Sequence, residues 1–188
     1  MKKQSATAKM AVTGLMAALV FVGSMLQITI PLSTGATRVH LGNIFCLLAG
    51  LLLGGMRGGL AAGLGSFFFD LLNPIYLPDS PFTFAFKFLM GFSCGKIARL
   101  RGAGAESAKQ NLTAAAAGQL LYLILYVGKG FLEDTVLMHM DLSPALTILV
   151  TKLGASSVNA IIAVLVSVPL AFVIRKALHR SHLLGDLD

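Results

Sequence analysis

The sequence predicts an all-α fold, an integral membrane bundle of six transmembrane helices with both termini cytoplasmic. Three observations carry this. Hydrophobic residues make up 56% of the chain and charged residues only 12%, about half the charged share of a soluble domain. Apolar runs recur from end to end, and 188 residues hold five to seven spans with little left over. Basic residues gather in alternate connections, as the positive-inside rule requires of a multi-pass chain.

The spans follow in order. The first is about 9–31, KMAVTGLMAALVFVGSMLQITIP. Its apolar core is longer than the 7–15 residues of a signal peptide, so it reads as a retained helix. Residues 41–73, LGNIFCLLAGLLLGGMRGGLAAGLGSFFFDLLN, would extend for roughly 50 Å as one helix against roughly 30 Å of hydrocarbon. The run must fold back, and Gly54-Gly55-Met56-Arg57 is the break, which places helices at about 40–54 and 56–73. After the punctuated loop NPIYLPDSP come helices at about 82–99, 111–132 and 144–175, all in one membrane domain, 1–188. The last run is long enough to tilt or to emerge from the bilayer.

With the N-terminus inside, Lys2, Lys3, Lys9, Arg57, Lys96, Arg99, Arg101, Lys109, Arg175, Lys176 and Arg180 fall on the cytoplasmic side. That is eleven of the 15 basic residues. Asp79, Glu133, Asp134 and Asp141 fall outside. This interspersion with apolar spans argues against nucleic acid as a partner, despite a formal charge of +7. Cys46 and Cys94 sit in apolar runs without metal-ligand or disulfide spacing, and read as packing.

Small residues recur at four-residue spacing. Gly55, Gly59 and Gly63 form one row, and Gly54, Gly58, Ala62 and Ser66 another. Such rows let helix backbones approach closely where lipid supplies no hydrophobic drive. The first helix carries Thr13 with Ala17 and Gly14 with Ala18. Each pair suits either packing inside the bundle or docking to another membrane subunit.

The polar residues left over concentrate toward the outer side. Arg38 lies in the first outer loop, Lys87 and Lys152 lie inside apolar helices, and Lys129 lies near an outer helix end. Asn43, Asp70, Tyr76, Tyr126, Glu133 and Asn159 map to the same half, with Asn73 ending the third helix. Ionisable groups within a membrane are costly and face the bundle interior or water. Snorkelling to the headgroups is the alternative for the lysines, above all Lys129. The inner half has no comparable set beyond Gln119. This asymmetry suggests capture from outside rather than a continuous pore.

Catalysis finds no support. HExxH and GxSxG patterns are absent, and GFSCGK (91–96) lies in a membrane helix and is too short for a phosphate loop. His40 and His139 are too far apart in sequence to suggest a shared metal. The chain reads as a non-enzyme with no cofactor, no metal and no ATP site. A self-sufficient small transporter or channel is the alternative to a binding subunit energised by others, but no internal repeat of the usual kind is visible.

VHLGNIFCLLAGLLLGGMRGGLAAGLGSFFFDLLNP followed by SPFTFAFKFLMGFSCGKIA resembles the substrate-binding S component of energy-coupling factor (ECF) vitamin transporters, in the branch with hydroxymethylpyrimidine, pyridoxine and riboflavin types. The resemblance implies high-affinity capture of a vitamin for ATP-driven uptake across a bacterial-type plasma membrane. It implies a membrane T component and two cytoplasmic ATPases as partners, with Gly14 and Ala18, or Thr13 and Ala17, at the T-component contact. It also implies an outward pocket under the first loop, mapping onto Arg38, His40, Asn43, Asp70, Asn73, Tyr76, Lys87, Lys129, Lys152 and Asn159. Three lysines and an arginine suggest an anionic or carbonyl-rich ligand, whereas Asp70 and Glu133 allow a neutral heterocycle with donors.

Overall fold

The computed structural model describes residues 6–33, 35–100 and 107–180. Six helices and one hairpin follow in order: α1 Ala6–Met25, β1 Gln27–Leu32, β2 Gly35–His40, α2 Gly42–Leu53, α3 Gly55–Leu71, α4 Ser80–Ala98, α5 Ala108–Leu132 and α6 Leu142–Arg180. A 3-10 turn, Leu77–Asp79, leads into α4, and a π turn, Glu133–Leu137, ends α5. Among the cytoplasmic cations expected from the sequence, Lys2, Lys3, Arg101 and the Arg180 side chain lie outside what is described.

The first span departs from the expected 9–31. The helix stops at Met25, and residues 27–32 form β1, paired antiparallel with β2 from Gln27 opposite His40 to Leu32 opposite Gly35. β-Branched Ile28, Thr29 and Ile30 favour a strand, and Pro31 cannot continue a helix. The hairpin is the one β element among the described residues.

Helices α1, α5 with its π turn, and α6 are long and apolar enough to cross a membrane by length and composition. The others depend on company. α2 has 12 residues and rises only about 18 Å. Eleven of its residues are buried, including Leu47, Leu48 and Leu51, so it forms the axis of the bundle. The α2–α3 break falls where the Gly54-Gly55 pair predicts it. Gly54 has φ +83°, a left-handed conformation that disfavours any side chain with a Cβ.

The two small-residue rows of α3 serve different neighbours. Gly55, Gly59 and Gly63 receive Phe92, Phe88 and Phe84 of α4, whose rings stack along that helix at centroid spacings of 5.8 and 6.2 Å. Gly58 faces α2 so closely that a Cβ there would lie 2.6 Å from Gly50 Cα. α3 and α4 therefore gain through contact what their modest hydropathy denies them in lipid.

At the α2–α3 turn, two arginines reach back to α2. Arg175 Nη2 donates to Leu51 O at 2.7 Å, and Arg99 donates to Leu52 O at 3.1 Å and Gly50 O at 3.3 Å. These carbonyls close the last turn of a helix ending inside the bundle, where unsatisfied backbone acceptors and the negative dipole end are costly. The arginines expected as topological markers thus also cap α2.

Candidate functional site

The end of the bundle opposite that turn carries the polar set. Arg38 on β2 donates from Nη2 to Asp70 Oδ1 on α3 at 2.7 Å. Its guanidinium carbon lies against both the Phe69 and Tyr76 rings, 4.6 and 4.1 Å from their centroids. A planar delocalised cation suits contact with two aromatic rings and the carboxylate at once.

β2 is fastened to α5 and α6 by side chains. Asn159 Oδ1 accepts the His40 N–H at 2.9 Å, and Asn159 Nδ2 donates to Arg38 O at 2.8 Å. Thr37 Oγ1 and Tyr126 OH lie 3.1 Å apart. His40, in the hairpin outside the helical spans, accepts the Gly42 N–H on Nδ1 at 3.1 Å. Burial, with Lys87 and Arg38 nearby, holds this imidazole well below its usual pKa, so it stays neutral and free to accept.

Two small cavities open beneath the hairpin. The inner one, about 40 Å³, is bordered by Arg38, His40, Asp70, Tyr122, Ser156 and Asn159. The outer one, about 90 Å³, is bordered by Phe82, Phe86, Lys129, Glu133 and Lys152. Tyr76, Asp79, Thr83 and Tyr126 border both. Lys129 pairs with Asp79 and with Glu133 at 2.6 Å, and Lys152 pairs with Asp134 at 3.3 Å.

All the residues expected at the site but Asn73 therefore meet at one end. Asn43 and Lys87 lie in the wholly buried layer, where Lys87 Nζ donates to Asn43 Oδ1 and sits 3.8 Å from the Tyr122 ring centroid. Asn73 does not join: its Oδ1 accepts the exposed Ile75 N–H at 3.3 Å, fixing the turn after α3. Sequence reasoning missed Thr37, Tyr122, Thr83 and Ser156. Tyr122 and Ser156 carried a signal, because they share helix faces with Tyr126 and with Lys152 and Asn159. Thr37 carried none while the hairpin was unforeseen.

The α1 pairs also separate. Gly65 of α3 packs against Ala17 O and Val20, so Ala17 faces inward, and Thr13 is half-buried with its hydroxyl on Lys9 O. A Cβ on Gly14 would meet nothing within 4 Å, and Ala18 is exposed. Met10, Leu15, Val22 and Met25 extend that outward surface.

The profile of the family described as ECF-type riboflavin transporter, S component, matches residues 4–176. This chain is a member of that family. No curated protein matches it. The S component is a multi-pass membrane protein and the substrate-binding subunit of an ECF transporter, working with separate T and ATPase subunits. The match names the riboflavin type and lends nothing to the hydroxymethylpyrimidine and pyridoxine types also expected from the resemblance.

Proposed function

We propose that this S component captures an uncharged aromatic heterocycle rich in carbonyl acceptors, with riboflavin as the first candidate because the family is described by it. The observation that carries the reading is the balance of the pocket. Arg38, Lys129 and Lys152 pair with Asp70, Asp79, Glu133 and Asp134, and with Lys87 the four cations equal the four carboxylates in number. An anionic ligand would leave this set with a net negative charge. The polar atoms of residues bordering the inner cavity that lack partners are Arg38 Nη1 and the Tyr76 hydroxyl, both able to donate. A ligand that supplies acceptors would satisfy them. Tyr122 and Tyr126, stacked at 5.8 Å, and Tyr76 offer ring faces.

Both cavities fall far below the roughly 300–1,000 Å³ of small-molecule sites. Entry of such a ligand requires the hairpin to release Asn159 and Tyr126 and move outward. In this reading the hairpin end faces outside a bacterial-type plasma membrane, the Gly14–Ala18 face docks on the T component, two ATPases supply the energy, and this chain performs no catalysis. Titration of the purified chain with riboflavin, followed by quenching of flavin fluorescence, tests the proposal. One-to-one binding without nucleotide is expected. Absence of binding to riboflavin and to other neutral heterocycles by folded protein would overturn it.

A further inference from the structure

Among the described residues, Lys87 is the one cation of this end that no carboxylate answers. It is 0% exposed, and among the described residues it has no acid within ion-pair distance. Asp70 is within its electrostatic reach but is bonded to Arg38. The balanced site is therefore polarised. Its deep half holds Arg38 and Lys87 against Asp70, leaving one positive charge. Counted by ion pairs, its outer half holds Lys129 and Lys152 against Asp79, Glu133 and Asp134, leaving one negative charge, with Asp79 bordering both cavities. α2 begins at Gly42 and carries Asn43 in its first turn, so its positive dipole end adds to the deep potential. Asn43 Nδ2, without a partner, adds a donor.

Stability does not account for this lysine. An unpaired cation in an apolar interior is costly, and an apolar side chain of similar volume is tolerated as well or better. Tyr122 links it to the ligand space, since its ring borders the inner cavity and lies 3.8 Å from Nζ.

We propose that Lys87 is a positioning residue that sets the polarity of the bound ligand. It acts through the Tyr122 ring and through its field, which is strong at low dielectric. The acceptor-bearing edge of the heterocycle points to the deep half, the donor-bearing end points to the outer half, and cationic ligands are rejected. This rests on the reading that an uncharged heterocycle occupies the pocket.

The test compares wild type with Lys87→Met and Asn43→Asp in the full chain, using riboflavin. The first substitution removes the charge, and the second places a carboxylate beside it. Both are expected to keep or raise the thermal midpoint, to weaken riboflavin at least tenfold, and to shift the visible band of the bound flavin in the same direction. Riboflavin binding unchanged in either variant would overturn the inference alone. So would affinity lost only in step with thermal stability, because that marks a structural role. Wild-type protein that binds no neutral heterocycle overturns both the functional reading and this inference.

Discussion

Asn159 of α6 grips β2 by both of its backbone groups, accepting from His40 N at 2.9 Å and donating to Arg38 O at 2.8 Å. One carboxamide thus does what a third strand would do, and it fastens the hairpin over the pocket. Asn159→Leu removes both bonds, each contributing about 1 kcal/mol. The hairpin should loosen while the helices hold. Stopped-flow fluorescence should show ligand leaving at least tenfold faster; an unchanged dissociation rate would mean that the hairpin does not gate the site.

Arg38 and Asp70 form a nearly buried pair, with side chains 12% and 2% exposed. Asp70→Asn leaves the guanidinium against two rings without its counter-charge, at a cost of about 3–5 kcal/mol. The thermal midpoint should fall well below that of wild type. The double variant Arg38→Met, Asp70→Leu should recover most of the stability and none of the binding. Recovery of both would remove the pair from the ligand site.

Outward and inward residues of α1 should respond oppositely. Gly14→Leu meets open space and improves helix propensity by up to about 1 kcal/mol. Folding and ligand binding should persist, while co-purification with the T component is lost. Ala17→Leu pushes into α3 near Gly65 and should lower the thermal midpoint. Intact assembly in Gly14→Leu would move the docking surface elsewhere.

Gly59 admits the Phe88 ring, which a Cβ would approach to 3.1 Å, with Phe88 O at 2.8 Å. Gly59→Leu overpacks the α3–α4 seam by at least the 1–3 kcal/mol typical of such insertions. Detergent-solubilised protein should be recovered in lower yield with an earlier thermal transition. The neighbouring Met56→Leu, on an exposed side chain, should have no effect on either measure.

Much of this was legible in the residues. The Gly54 break, the glycine rows, the α5 and α6 spans and the side of the bundle bearing Arg38, Asp70 and Lys152 all followed from composition and spacing. The hairpin was not legible, because Gln27–Leu32 continues the apolarity of α1 and its strand state depends on a partner strand three to thirteen residues away, from Gly35 opposite Leu32 to His40 opposite Gln27. The Asn73 side chain turns to the Ile75 N–H and not to the cavities, and its position at a helix end says nothing of that direction.

Apolar length, charge asymmetry and small-residue periodicity are local sums along the chain, so the sequence by itself determined a six-helix membrane protein, its break at Gly54 and the end that would hold polar chemistry. Only the tertiary structure decided that Gly14 faces out while Ala17 faces in, that Arg175 caps α2, and that Lys87 stands behind Tyr122 without a counter-charge. Those are relations between helices far apart in sequence. Each depends on which faces meet when small residues let backbones approach, and no count along one helix contains that geometry.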